Sequence, residues 1–332
     1  MRIAVFGVGG VGGYFGARLA QGAGAGAGAG AGEGAAPGAR SGHEVVLIAR
    51  GAHLAAIRER GLLVETPAER LIARPALATN DPAEAGAVDV VLLAVKAWQV
   101  PDTARALAPL LGRETFVVPL QNGVEAASQL VAALGAPRVL GGLCGTISFV
   151  AGPGHIRSVG ATHFVRFGEL DNRPSERAER LREAFARAGV DASIPADIHV
   201  ALWEKFAFVV SVGGLGAVTR APIGVLRGQP ETRALIEQGI REIVAVGRAR
   251  GVPLRDDVLE RTLAFADRLA PSGTASLQRD IADGKPSELE AWNGAVVRLG
   301  REAGVSTPLH AFIYHCLLPL ERRARGELEF PE

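Results

Sequence analysis

The sequence predicts an α/β protein, with an N-terminal Rossmann-type doubly wound sheet and an all-helical C-terminal domain. Five short runs of continuous apolar residues alternate with helical patterns through the first half, as expected for a parallel sheet covered on both faces. The run Gly7-Val8-Gly9-Gly10-Val11-Gly12 sits between a strand pattern and a helix pattern. After about Ser193 the strand patterns stop and long helical periodicities take over. A chain of 332 residues has room for two cores. The expected domains are residues 1–193 and 194–332, joined near Ala192 to Ala196.

In chain order the expected strands are Arg2 to Gly7, His43 to Arg50, Val88 to Lys96, Phe116 to Gln121 and Val139 to Gly145. A first helix is expected over Gly13 to Leu19. From about Thr146, Gly and Pro turns separate short strand patterns, which suggests an antiparallel extension of the same sheet. Helices are then expected over Ala196 to Val212, Glu231 to Arg250, Arg255 to Leu269, Pro286 to Ala303 and Pro308 to Arg325.

One stretch fits no element. From Gly22 to Gly34 glycine fills every second position, and seven glycines in a helix would cost about 7 kcal/mol relative to alanine. An isolated Gly/Ala repeat has no stacked partners and no large side chains to bury as a sheet. The tract at about 22–41 reads as a loop inserted between the first helix and the second strand, at the sheet end opposite the glycine motif. Lengthening a loop there is cheap, at about 0.6 kcal/mol per doubling. It is expected to carry no catalytic role.

Composition narrows the function classes. Thirty-six basic and 35 acidic residues leave a net charge of +1, so no summed field favours nucleic acid or an acidic membrane surface. Cys144 and Cys316 lie far apart without a CxxC spacing, which indicates neither a disulfide framework nor a thiolate metal site and suits a cytoplasmic protein. The opening MRIAVFGVGGVGG is too diluted by glycine for a secretion signal, and no stretch reaches about 18 apolar residues, so no membrane partner is expected.

The chemistry concentrates at a few positions. Within Gly7 to Gly12, Gly7 permits a tight turn, Gly9 lets a pyrophosphate approach the backbone, and Gly12 allows close packing of helix on strand. Val8, Gly10 and Val11 complete the cofactor-binding turn. Arg50 ends the second strand, where an NAD-preferring protein would place Asp or Glu; a guanidinium there matches a 2′-phosphate, so NADPH is the expected cofactor.

Lysine is scarce: of 36 basic residues only Lys96, Lys205 and Lys285 are lysine. Arginine cannot release its proton near neutral pH, whereas a partly buried lysine can. Lys205 lies in VALWEKFAFVVSV, an almost wholly apolar helix pattern, and suits a general acid. Lys96 and the Gln121-Asn122-Gly123 stretch end strands, where open α/β sheets bind ligands. Ser276 and Asp280 share a helix face, and Glu288 opens the next helix after Pro286. Lys285 reads as a surface residue. His310 and His315, five apart, do not share a face, so no metal site is expected.

Together these segments resemble the ketopantoate reductase family (2-dehydropantoate 2-reductase). The resemblance covers nearly the whole chain outside the Gly/Ala tract. It rests on GVGGVG from Gly7, Arg50, VKAWQV from Val95, QNGVE from Gln121, LWEKF from Leu202, SLQRDI from Ser276 and SELEAWNG from Ser287. It implies NADPH-dependent reduction of a small 2-keto acid to its 2-hydroxy acid, on the route to pantothenate. It implies Lys205 as general acid, Asn122 beside cofactor and substrate, Lys96 lining the cleft, Ser276 on the substrate and Glu288 binding its hydroxyl groups. One departure is plain: beyond Lys205 the family often shows Asn residues and an NPLTA-like run, but this chain has Val209 and Gly213 at the places of those amides. A related reductase of another 2-keto acid or an imine, and a non-catalytic NADPH-sensing protein, are the alternatives. Apolar helix faces could serve either the core or a homodimer.

Overall fold

The computed structural model describes residues 1–21, 43–160 and 163–331; the Gly/Ala tract, expected to be an inserted loop, lies outside the described residues. Contacts divide the chain into two compact units, Met1–Gln121 with Ala126–Ile198, and Asn122–Glu125 with His199–Glu332.

The first unit runs β1 (Arg2–Phe6), α1 (Gly10–Gln21), β2 (Glu44–Ile48), α2 (Gly51–Arg60), β3 (Leu62–Glu65), β4 (Arg70–Ala73), β5 (Leu77–Thr79), α3 (Pro82–Ala85), β6 (Val88–Leu93), α4 (Val100–Ala106), β7 (Leu111–Pro119), α5 (Ala126–Leu134), β8 (Leu140–Gly145), β9 (Ser148–Gly152), β10 (His155–Ser158), β11 (Phe164–Glu169), α6 (Glu176–Arg187) and β12 (Asp191–Ser193). Its main sheet has the order β5-β2-β1-β6-β7 and every pairing in it is parallel. That order, with helices on both faces, is the doubly wound Rossmann arrangement.

The continuous apolar strands follow from that geometry. Successive side chains point to opposite faces. Ile3, Val5, Val45, Leu47, Val90 and Leu92 pack with Phe15 of α1 and Phe185 of α6, while Ala4, Phe6, Val46, Ile48, Val91 and Leu93 pack with Val100 of α4 and Leu130 of α5. With both faces covered, a polar side chain at a buried position such as Ile3, Val5, Val90 or Leu92 would lose about 1.5–3 kcal/mol of burial, and the polar residues Arg2 and Asp89 sit where the strands reach solvent.

The strands after Thr146 correct the expectation of one extended sheet. β9 and β10 pair antiparallel and join β3 and β4 in a four-stranded sheet of order β4-β3-β10-β9. β8, expected among the parallel strands, pairs antiparallel with β11 in a separate three-stranded sheet with β12. Only the bridge between Val117 and Val139 leads from β7 towards β8. The physical reason is partnership: β10 finds β3, about ninety residues earlier, through parallel pairing of Ile156 with Val64. Once paired there it cannot also continue β7.

The second unit is helical among the described residues: α7 (Ile198–Thr219), α8 (Ile223–Gly228), α9 (Pro230–Ala249), α10 (Val258–Arg268), α11 (Ser276–Ala282), a π turn over Glu290–Gly294, α12 (Ala295–Ala303) and α13 (Pro308–Ala324). α7 is long and apolar enough by composition to cross a membrane, but two-thirds of its most apolar window is buried inside the protein (67%). It is the central core helix: Phe206, Ala207 and Val210 pack with Ile236, Ile240 and Ile243 of α9 and with Ile313 of α13. The helix expected over Pro286 to Ala303 begins later, at Glu290, where a π turn over Glu290–Gly294 runs directly into α12. The Glu321 carboxylate accepts from the Ser287 backbone N–H at 3.1 and 3.0 Å, which anchors the segment that leads into this helix to α13.

Candidate active site

In the first unit the glycine motif forms the turn from β1 into α1. Gly7 has φ +96°, a conformation that L side chains rarely adopt, and its N–H donates to the Ile48 carbonyl at 3.1 Å. A Cβ on Gly12 would overlap the Gly7 carbonyl oxygen, and one on Gly10 would overlap the Ser148 carbonyl of β9. A Cβ on Gly9 would meet nothing within 4 Å. Gly7, Gly10 and Gly12 are therefore required by the protein's own packing, whereas Gly9 guards open space in front of the first N–H groups of α1. Those groups have no intrahelical partner and favour an anionic oxygen, so the turn fits a pyrophosphate.

Arg50 follows β2 directly, as expected, and caps α2 with extended backbone and an exposed side chain. Lys96 caps the 3-10 turn Ala97–Gln99, and its Nζ lies 5.7 Å from the Trp98 ring centroid, a cation–π distance. Gln121 lies two residues past β7 and donates through Nε2 to the carbonyls of Leu93 and Val95, both at 2.9 Å. It thereby ties the ends of β6 and β7 at the carboxyl edge of the sheet. Its Oε1 is buried without a hydrogen-bond partner among the described residues.

In the second unit Lys205 lies on α7 and donates from Nζ to Oδ1 of Asn122 at 2.8 Å. Asn122 reaches this unit as part of the short excursion Asn122–Glu125. Gly123 (φ +113°) lets that excursion pass close to the Ala291 carbonyl, and Arg298 donates to Glu125 at 2.7 Å while also pairing with Glu290. Val209 and Gly213 follow Lys205 at four-residue steps and so share its helix face. The space a side chain at 213 would use is taken by the Trp292 indole, since a Cβ there would stand 2.6 Å from the ring. The same Cβ would be 3.1 Å from Ala275, the residue before Ser276, which opens α11. Glu288 is buried just ahead of the π turn.

Other candidates separate cleanly. Lys285 pairs with Asp283 at 2.7 Å on the surface. His310 is fully buried and bonded to Asn293 and the Gly239 carbonyl at 3.0 Å each, and burial pushes its imidazole below the ordinary range. His315 is exposed, and no group of three metal-ligating side chains occurs among the described residues. Sequence patterns did not single out Trp292 or Asn293. Their roles depend on packing against Gly213 and Gly214, about 80 residues earlier, and no local spacing announces it.

A Rossmann sheet with a glycine turn, accompanied by a helical unit that holds a lysine against an amide, belongs to the Rossmann-fold oxidoreductases. Residues 25–172 match the family described as ketopantoate reductase PanE/ApbA, and residues 197–321 match its C-terminal part. The chain is 31% identical to a 2-dehydropantoate 2-reductase of Mesorhizobium japonicum, covering 93% of this chain and 94% of that one. A solved PanE/ApbA family ketopantoate reductase from Ralstonia eutropha is similar with a TM-score of 0.84 at 31% identity, covering 98% of this chain and 100% of the other. D-mandelate dehydrogenase, solved with NADH and anilino(oxo)acetate, shares the fold with a TM-score of 0.84 at 22% identity, covering 98% and 100%. The chain belongs to the ketopantoate reductase family and is an oxidoreductase.

Proposed function

We propose that the protein reduces ketopantoate to pantoate with NADPH, the 2-keto acid reduction that serves pantothenate synthesis. The observation that carries this reading is the Lys205 ammonium held at 2.8 Å by the Asn122 amide, in a chain of this family. The cofactor supplies hydride to the carbonyl carbon. Negative charge then develops on the carbonyl oxygen, and Lys205 is the group that delivers a proton there. Asn122 accepts one of the three ammonium protons, which orients the remaining donors towards substrate. Gly7, Val8, Gly9, Gly10, Val11 and Gly12 hold the pyrophosphate, and Arg50 pairs with the 2′-phosphate, because no carboxylate ends β2 to bind a ribose diol. Lys96 lines the cleft, Ser276 contacts the substrate and Glu288 binds its hydroxyl groups. The division into domains at about residue 193 fits a cofactor half and a substrate half. Cys144 and Cys316, neither of them in a disulfide, suit the reducing cytoplasm.

A second reading is favoured by Val209 and Gly213. A site that lacks two amides loses the hydrogen bonds that would reject a substrate without hydroxyls, so another 2-keto acid becomes the better substrate. The deciding experiment follows loss of reduced-nicotinamide absorbance with ketopantoate and with a panel of aryl and branched alkyl 2-keto acids. The highest kcat/KM on ketopantoate supports the first reading. A tenfold or greater preference for an unhydroxylated acid supports the second, and no turnover with any acid despite tight NADPH binding overturns both.

A further inference from the structure

His53 lies in the first turn of α2, three residues after Arg50, and no sequence spacing singles it out. The Gly154 N–H donates to its Nδ1 at 3.0 Å, which places the ring proton on Nε2. That nitrogen is buried and makes no well-formed hydrogen bond among the described residues, while the backbone of Val8 and of Gly152 lies within polar reach of the ring. Three pieces of the first unit converge there. The β9–β10 hairpin carries Gly154 in its turn, and that turn also receives a bond from Arg60 of α2 to the Pro153 carbonyl at 3.0 Å. The same hairpin presses Ser148 against Gly10 and Ile156 against Gly13, where a Cβ would stand 2.6 Å from the isoleucine. Val8 belongs to the glycine turn itself.

We infer that His53 is a positioning residue for the dinucleotide: it clamps the β9–β10 hairpin to the back of the glycine turn, so the turn is shaped before the cofactor arrives. The inference rests on reading Gly7 to Gly12 as the pyrophosphate cradle. A turn fixed in advance loses less conformational freedom on binding, and affinity rises accordingly. His53 acts through the hairpin and the turn, supplying no group to the reacting atoms. Its effect must therefore appear in binding and not in the chemical step.

The test is fluorescence titration of NADPH and NADH into wild-type protein, His53→Ala and His53→Asn, with steady-state kinetics alongside. Asparagine keeps an acceptor near the position of Nδ1. His53→Ala is expected to raise the Kd for NADPH about tenfold, the size of one lost hydrogen bond to a positioned group. It should leave kcat at saturating NADPH within about twofold, and His53→Asn should recover most of the affinity. Should the alanine variant not fold, His53→Phe fills the same space without either nitrogen and carries the same expectation. Wild-type affinity in the folded alanine or phenylalanine variant overturns the role of His53, as does a fall in kcat with Kd unchanged. Wild-type protein that binds neither nucleotide overturns the cradle reading and this inference with it.

Discussion

Lys205 Nζ donates to the Asn122 amide oxygen at 2.8 Å, joining residues 83 positions apart within one helical unit. A general acid positioned in this way contributes about 10²–10⁴-fold to rate. Lys205→Ala should therefore lower turnover by at least about 100-fold while NADPH affinity, measured by fluorescence, moves little. Lys205→Arg should not rescue, because a guanidinium retains its proton at neutral pH. An alanine variant with near wild-type turnover removes Lys205 from the chemistry.

The glycine turn makes a second, opposed pair of predictions. Gly12→Ala forces a Cβ into the Gly7 carbonyl and to 2.9 Å from the Ala94 side chain, so unit stability should fall by about 1–3 kcal/mol, read as a lower melting temperature. Gly9→Ala meets open space, so melting should be unchanged while dinucleotide affinity drops. Equal loss of stability in both variants would contradict the geometry.

Both tyrosines of the chain, Tyr14 and Tyr314, resist ionisation. Burial raises the phenol of Tyr14 above its ordinary 10.0. Tyr314 is pushed up to about 12, first by burial and then by its hydrogen bond to Glu290 at 2.7 Å. A folded value above the unfolded one contributes stability that is complete below about pH 10 and is lost as pH rises through the folded values. A spectrophotometric titration should show less phenolate in native protein than in denaturant at pH 10, where a free phenol is half ionised, with the Tyr314 share of the native signal appearing only towards pH 12. A native curve that matches the denatured one would refute this.

His310 titrates with the opposite sense. Burial depresses its folded value below 6.5, so its neutral form stabilises the fold above the unfolded pKa, and that contribution is lost as pH falls below it. The denaturant midpoint should decline as pH drops below about 6.5, and His310→Gln should flatten the slope, although His53 and His163 are depressed by burial as well. An unaltered slope in the glutamine variant would exclude His310 as its source.

The sequence was most informative where structure is local or strongly periodic. β1, β2, β6 and β7 could be read because strands covered on two faces must be apolar throughout, and α7, α9 and α13 because their lengths exceed any strand. β3, β4 and β5 escaped notice: each has three or four residues and exists through partners elsewhere, as Leu63 does through His155. The candidate site divides in the same way. Gly7 to Gly12 and Lys205 stand out in the chain itself. The seat of Trp292 on Gly213 and the histidine behind the glycine turn arise from packing between segments far apart in sequence, which no window contains.

α1 ends at Gln21 and β2 begins at Glu44, whose N–H donates to the Met1 carbonyl at 2.9 Å, so this junction opens at the amino edge of the main sheet. Gly7, Ala94 and Gln121 all lie at the other edge. The junction is therefore a ready port for engineering: a reporter domain or an affinity handle spliced between Gln21 and His43 would enter at the sheet edge opposite the glycine turn.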